Sequence, residues 1–185
     1  LERLGVSAII IEDKTGLKKN SLFGTEVIQT LEDPIIFAEK IRAGKRALTT
    51  RDFLIFARIE SLIAGKDVKD AMMRAMIYVE AGADGIMIHS KDKTGEDIFE
   101  FIRQFREFSE DIPIILVPTS YNQFTEKELA EKGANIIIHA NHLLRAAYPA
   151  MVKAAETILE NGRSKEADEF CLPINDVLTL IPGGK

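Results

Sequence analysis

Polar or ionisable side chains follow five short apolar runs of the sequence, at the point where each run stops. A single run that turns polar needs no explanation beyond contact with water. All five do so here, and their ends include all three histidines of the chain, which favours the rim of an active site. In chain order these residues are Glu12, Asp13 and Lys14; Arg58 and Glu60; His89, Ser90 and Lys91; Pro118 and Thr119; and His139, Asn141 and His142.

The cationic residues of this set suit a small anionic substrate. Arginine has a planar fork that matches carboxylate or phosphonate oxygens, and its charge is fixed at all working pH values. We therefore predict that Arg58 and His89, with Lys18 from the long polar loop after the first apolar run, bind a small dianion or trianion. The alternative for Arg58 is a salt bridge to Glu60 or Asp13. Its place at the end of an apolar run favours the functional interpretation.

Glu12 is a candidate ligand, or an indirect partner, for a hard cation such as Mg²⁺, which prefers oxygen ligands and keeps several waters. One carboxylate cannot hold the ion alone. For His139 and His142, a functional role and a simple hydrogen bond to a neighbouring loop remain equally open.

Several classes of protein are disfavoured by composition and motifs. No GxSxG, P-loop or GxGxxG motif is present, and Cys171, the only cysteine, is predicted to be structural. A net charge of −5 with both signs interspersed argues against a general nucleic-acid surface. No apolar run approaches the roughly 20 residues that span a bilayer. We predict a cytoplasmic protein that acts on a small molecule, without nucleic-acid or membrane partners.

The apolar runs are continuous rather than alternating, which is typical of parallel strands covered on both faces. Segments with helical periodicity lie between them, so strand and helix alternate in an α/β fold. Helix-end signals are Asp33 before Pro34 with Gly44 as a stop, Asp67, and the capping box of Thr125 with Glu128. The predicted strands are Val6–Ile11, Phe53–Arg58, Gly85–His89, Ile112–Val117 and Asn135–Ala140.

Two helices are predicted after the last strand: a long one that is kinked or started by Pro149, and a short one in "PINDVLTLI". A closed (β/α)₈ barrel needs eight strands, and about five are counted. Either the sheet is open and doubly wound, or three βα units precede Leu1. The abrupt start favours the second, with residues 1–185 as part of a single TIM-type barrel domain.

Five segments occur in an order that resembles the phosphoenolpyruvate mutase family, within the isocitrate lyase/phosphoenolpyruvate mutase superfamily. They are "EDKTGLKKNSL", "ARIESLIAG", "YVEAGADGIMIHSK", "VPT" and "ANHLLRA". The resemblance covers nearly the whole chain and corresponds to the later two-thirds of a family member. The first and last segments are specific, whereas "EAGAD" is common across the superfamily.

The resemblance implies a modified (β/α)₈ barrel whose last helix packs on a neighbouring subunit of a homodimer or homotetramer. It also implies an Mg²⁺-dependent isomerase of phosphonate biosynthesis that interconverts phosphoenolpyruvate and phosphonopyruvate. By position, Glu12 matches an acidic residue that reaches the metal through water, and Arg58 and His89 match residues around the phosphoryl group. Lys18, Asn20, Ser21 and Leu22 match a gating loop, with Asn20 touching the phosphoryl group.

The resemblance leaves alternatives. The lyase branch carries "KRCGH" in this loop where this chain has "KKNSL", which disfavours a lyase. Phosphonopyruvate hydrolase has a similar loop without the asparagine, so Asn20 favours the mutase. The main metal-binding aspartates of the family are expected upstream of Leu1. A third possibility is therefore a non-catalytic, truncated fragment.

Overall fold

The computed structural model describes residues 1–17, 21 and 28–180. These fall into two compact units, with the division between His139 and Ala140. The first unit opens with a short 3-10 helix, Glu2–Leu4, and then alternates strands and helices. Its strands are β1 (Ala8–Glu12), β2 (Leu54–Ile59), β3 (Gly85–Ile88), β4 (Ile114–Leu116) and β5 (Ile136–Ile137); its helices are α1 (Pro34–Ala47), α2 (Val68–Glu80), α3 (Glu96–Phe108) and α4 (Glu126–Glu131).

The five strands form one parallel sheet in the order β1-β2-β3-β4-β5. A doubly wound sheet reverses its strand order at a switch point, where helices change face. The sequential order has no such reversal, so the open doubly wound alternative is wrong. The unit is an α/β fold of the barrel type, with every polar strand end at one edge of the sheet.

Helix ends follow the predicted local signals, with one exception. The Asp33 carboxylate accepts hydrogen bonds from the backbone N–H groups of Ile35 and Ile36, and Thr125 and Glu128 form the predicted capping box. Gly44 does not stop α1, which continues to Ala47. A Cβ at Gly44 would lie 2.8 Å from Ile55 Cδ1. This glycine therefore permits close packing of helix on strand.

The main apolar core lies between the sheet and its helices. It includes Ile59, Ile86, Ile88 and Leu116 from the strands and Phe37, Ile41, Tyr78, Phe101 and Phe105 from the helices. The opposite sheet face carries Phe56 beside Gly85 in the β2–β3 register. A Cβ at Gly85 would lie 2.4 Å from the Phe56 ring and 2.9 Å from the carbonyl oxygen of Pro113. The glycine thus makes room for the aromatic ring on that face.

The second unit contains α5 (His142–Asn161), a 3-10 helix at Lys165–Glu169 and α6 (Ile174–Thr179). Both predicted helices are confirmed. Pro149 lies inside α5 and does not start it. Across the parts of the chain that the structure describes, no helix is both long and apolar enough to cross a membrane.

Candidate functional site

Three of the predicted site residues project from the same face at the carboxyl edge of the sheet. Glu12 and Arg58 are directly paired between β1 and β2, and Arg58 is paired with Met87, two residues before His89. Paired residues of neighbouring parallel strands point to the same face, and the side-chain direction repeats every second residue. The strand register therefore places Glu12, Arg58 and His89 side by side.

Glu60 lies at the centre of this group. Its Oε1 accepts a hydrogen bond from Arg58 Nε at 2.6 Å and lies 3.4 Å from His89 Nδ1. Its Oε2 accepts from Ser21 Oγ at 2.5 Å and lies 3.0 Å from Lys14 Nζ. The Glu60 side chain is fully buried. The salt bridge considered as an alternative for Arg58 is therefore present, and it forms part of a larger cluster.

Glu60 is ionised within this cluster. Burial by itself raises the pKa of the carboxyl group. The adjacent His89 ring, the charge of Arg58 and the Ser21 hydrogen bond outweigh burial, so the pKa of Glu60 lies well below its ordinary value. Glu60 is thus an anion that holds cationic and hydroxyl groups together at the sheet edge.

Ser21 is the only member of the predicted loop set that the structure describes. Its hydroxyl accepts hydrogen bonds from Lys14 Nζ at 3.0 Å and Arg58 Nη2 at 2.9 Å, and it donates to Glu60. Ser21 therefore joins the cluster around Glu60. The other three residues predicted for this loop, Lys18, Asn20 and Leu22, lie outside the described residues.

Glu12, the predicted indirect metal partner, lies at the border of the cluster. Its Oε2 is 3.7 Å from Arg58 Nε and 3.9 Å from Lys14 Nζ. Within residues 1–17, 21 and 28–180, no group of three or more His, Cys, Asp or Glu side chains is placed to hold a metal ion. Glu12 supplies one carboxylate, so these residues by themselves do not fit a complete Mg²⁺ site.

A small cavity opens beside Glu12 and Lys14. Its volume is about 200 Å³, below the roughly 300–1,000 Å³ of pockets that take drug-sized ligands, and its lining includes Glu12 but not Arg58 or His89. Its walls are formed by Glu12, Lys14, Thr15, Gly16, Leu17, Ile28, Gln29 and Thr30.

A buried ionic network supports the cluster from the helix side. Asp13 Oδ1 accepts a hydrogen bond from the backbone N–H of Glu60 at 2.9 Å. Asp13 Oδ2 accepts from Tyr78 Oη at 2.8 Å and from Arg74 Nη1 at 3.1 Å. Burial raises the pKa of Asp13, although the Glu60, Tyr78 and Arg74 hydrogen bonds oppose that rise. Asp13 therefore holds the backbone of the residue on which the cluster is centred.

The same network fixes the base of the loop that follows β1. The Asp13 carbonyl oxygen accepts from the backbone N–H of Glu32 at 2.9 Å, and Arg74 Nη1 donates to the Glu32 carbonyl oxygen. The backbone N–H of Thr15 also donates to the Thr30 carbonyl oxygen at 2.9 Å. The two ends of the loop are thus tied together next to Glu60.

Sequence reasoning missed the roles of Arg74 and Tyr78. A possible signal was the pair of polar groups at positions i and i+4 on the apolar face of α2, since such spacing places both on one side of a helix. Both residues are buried there.

Other strand-end residues have partners elsewhere. His139 Nε2 lies 2.8 Å from Oε1 of exposed Glu126, and Ser90 donates a short hydrogen bond to Asp97 on α3. His142 belongs to the second unit. Ser90 and His139 thus contact carboxylates on α3 and α4.

Sequence comparisons identify relatives that align with nearly the whole chain. A family model described as phosphoenolpyruvate phosphomutase matches residues 1–159. A phosphonopyruvate hydrolase of Variovorax sp. is 37% identical over 97% of this chain and 61% of its own length. A phosphoenolpyruvate phosphomutase of Tetrahymena pyriformis is 35% identical over 97% of this chain and 59% of its own length. The chain thus spans about three-fifths of the length of these relatives.

Solved structures of proteins with the same two activities also superpose on this chain. A crystal structure of phosphoenolpyruvate phosphomutase from Streptomyces platensis subsp. rosaceus superposes with a TM-score of 0.88 at 36% identity, covering 96% of this chain and 60% of that one. A phosphonopyruvate hydrolase complex with oxalate and Mg²⁺ superposes with a TM-score of 0.82 at 36% identity, covering 96% and 59%. Two related activities therefore match at nearly equal similarity.

Proposed function

Because this chain belongs to the phosphoenolpyruvate phosphomutase family, we propose that the full protein interconverts phosphoenolpyruvate and phosphonopyruvate. The phosphoryl group moves within one molecule: the bond between phosphorus and the enol oxygen breaks as a bond from phosphorus to the methylene carbon forms. No water is consumed and no proton is gained. Under this proposal the protein is an isomerase of phosphonate biosynthesis.

The observation that carries this proposal is the convergence of donors around Glu60. A migrating phosphoryl group has a loose transition state with charge spread over its three oxygens, so it needs positioned cations more than covalent chemistry. Arg58 and His89 lie within 2.9 Å of each other at adjacent strand ends. We assign them to the phosphoryl oxygens, where Arg58 supplies a fixed positive charge and His89 a neutral or charged donor.

The predicted loop has the complementary task of excluding water, because a metaphosphate-like species that meets water is hydrolysed. We propose that Lys18, Asn20, Ser21 and Leu22 close over the substrate, with Asn20 in contact with the phosphoryl group. Ser21 is already hydrogen-bonded to Arg58 and Glu60.

Mg²⁺ belongs to the proposal as the ion that would polarise the pyruvyl oxygens of the substrate. A related phosphonopyruvate hydrolase structure contains it. We propose that Glu12 meets the ion through a water and that its direct ligands belong to a segment before Leu1, which would also carry three further βα units of a single barrel domain. A cytoplasmic homodimer or homotetramer that shares its last helix completes the proposal.

The second candidate is hydrolysis of phosphonopyruvate to pyruvate and phosphate. It is favoured by the 37% identity to the Variovorax enzyme. Asn20 is the residue that favours transfer over hydrolysis. A truncated, non-catalytic fragment is the third candidate, motivated by the five-strand sheet.

Phosphorus NMR of the full protein with phosphonopyruvate and Mg²⁺ separates these candidates. We expect the phosphonate signal to be replaced by that of phosphoenolpyruvate, and removal of Mg²⁺ by a chelator to stop the reaction. Inorganic phosphate with pyruvate as the only products would establish the hydrolase instead. No turnover of either compound would reject both enzymes.

We expect Asn20→Ala to remove most of the mutase rate while leaving the fold intact, since the assigned contact is with substrate. The measurement is kcat together with the free energy of unfolding in urea, and the control is Asn122→Ala, on the exposed loop after β4. A loss of stability of the size seen for core truncations, about 2–5 kcal/mol, would show that Asn20 is structural.

A further inference from the structure

We propose that Glu60 is a positioning residue that, through Arg58, fixes the proton of the neutral His89 ring on Nε2. This deepens the proposed function, on which its catalytic consequence rests. The structural part of the proposal rests only on contacts among described residues. In this proposal Glu60 acts through Arg58 and does not contact the reacting atoms.

The first step is the orientation of the Arg58 guanidinium. Glu60 Oε1 accepts from Arg58 Nε at 2.6 Å, and this contact sets the plane of the guanidinium group. Arg58 Nη2 then lies 2.9 Å from two atoms, Ser21 Oγ and His89 Nδ1. Both distances are those of ordinary hydrogen bonds.

The second step is the position of the His89 proton. Arginine can only donate hydrogen bonds, so His89 Nδ1 must be the acceptor at 2.9 Å. A neutral imidazole that accepts at Nδ1 carries its proton at Nε2. The competing arrangement has Nδ1–H donating to Glu60 Oε1, but that separation is 3.4 Å, and Oε1 already accepts from Arg58. The geometry therefore favours Nε2–H, a donor suited to an anionic oxygen.

The third step is the fixation of Glu60 itself. Its side chain is fully buried, and its backbone N–H is held by Asp13 Oδ1 at 2.9 Å. Its other oxygen, Oε2, is occupied by Ser21 Oγ and approached by Lys14 Nζ at 3.0 Å. A carboxylate bound on both oxygens has no freedom to rotate. Glu60 therefore fixes the orientation of the Arg58 guanidinium, and Arg58 in turn fixes that of the His89 ring.

Histidine tautomers can be observed directly, because the two ring nitrogens have different ¹⁵N shifts when one is protonated and the other is not. We would record the full protein with ¹⁵N-labelled histidine at mildly alkaline pH and assign His89 by its loss in His89→Gln. We expect protonated Nε2 and unprotonated Nδ1 in the wild type, and a mixture of both tautomers in Glu60→Gln. A wild-type His89 protonated at Nδ1, or one tautomer retained in Glu60→Gln, would overturn the proposal.

Kinetics supply the second measurement. We expect Glu60→Gln to lower kcat by about 10–100-fold, the range seen when an outer partner that orients a ligand is removed. KM should stay within about threefold, because the substitution breaks no direct contact with the substrate. The loss of one negative charge near the anionic substrate should have only a small effect on KM. Glu60→Asp keeps the charge and should keep the tautomer. Glu100→Gln, whose carboxylate pairs with Arg103 on the exposed face of α3, is the matched control and should change neither quantity.

The proposed reaction and the proposed histidine tautomer can be rejected independently of each other. If the wild type makes no phosphoenolpyruvate, the proposed function fails, while the histidine spectrum still decides the tautomer without turnover. If Glu60→Gln does not fold, the wild-type spectrum alone still overturns the proposal when it shows protonated Nδ1. Unchanged kcat in a folded Glu60→Gln would reject the positioning role.

Discussion

Arg58→Ala is expected to lower kcat of the proposed reaction by about 10²–10³-fold, the loss measured when one preorganised donor to a developing anion is removed. Arg58 supplies a fixed charge at the site where His89 and Ser21 converge, within 2.9 Å of both. Arg58→Lys should recover little of the rate, because an ammonium group cannot hold Glu60, Ser21 and His89 through one planar fork. Steady-state kinetics on phosphonopyruvate, followed by phosphorus NMR, provide the measurement.

Stability must be measured on the same variants. Glu60 is fully buried, and among the described residues the loss of Arg58 leaves it Lys14 Nζ, at 3.0 Å, as a cationic neighbour. Some destabilisation is therefore expected, and rates should be compared well below the unfolding temperature of each variant. Arg103→Ala is the control, since Arg103 also pairs with carboxylates but on an exposed face. Full activity in a folded Arg58→Ala would show that Arg58 only neutralises Glu60.

The features that sequence predicted correctly depend on local signals. The Asp33 cap, the Thr125–Glu128 capping box and the five continuous apolar runs are each encoded within a few residues. The grouping of Glu12 and Arg58 at one edge follows from the rule that parallel strands end at the same edge of a sheet, whereas their direct pairing is known only from the structure. The polar strand ends could therefore be grouped before their contacts were known.

The features that sequence missed depend on contacts across the fold. Asp13 meets Glu60, Arg74 and Tyr78 at separations of 47, 61 and 65 residues along the chain. No periodicity specifies which of several buried polar groups will meet. Gly44 shows the same limit, since its role follows from the approach of Ile55 and not from its place near a helix end.

The network behind the cluster predicts the largest effect on stability. We expect Asp13→Ala to lower the free energy of unfolding by about 3–5 kcal/mol, because removal of one partner of a buried ion pair leaves the other charge uncompensated. The Arg74 side chain is 7% exposed and would keep only Asp70, at 3.0 Å, as its carboxylate partner among the residues described. Urea unfolding followed by circular dichroism gives the measurement.

Two milder variants separate the charge from the hydrogen bonds. Tyr78→Phe removes one hydroxyl that bonds Asp13 and should cost about 1–3 kcal/mol, the range for a buried acceptor that loses a partner. Asp13→Asn keeps an acceptor for the backbone N–H of Glu60 but removes the charge facing Arg74, so it should fall between Tyr78→Phe and Asp13→Ala. If all three variants cost the same, the charge on Asp13 adds nothing beyond a hydrogen bond. If Asp13→Ala is as stable as the wild type, the hydrogen bonds and the ion pair of Asp13 contribute nothing measurable to the stability of the fold.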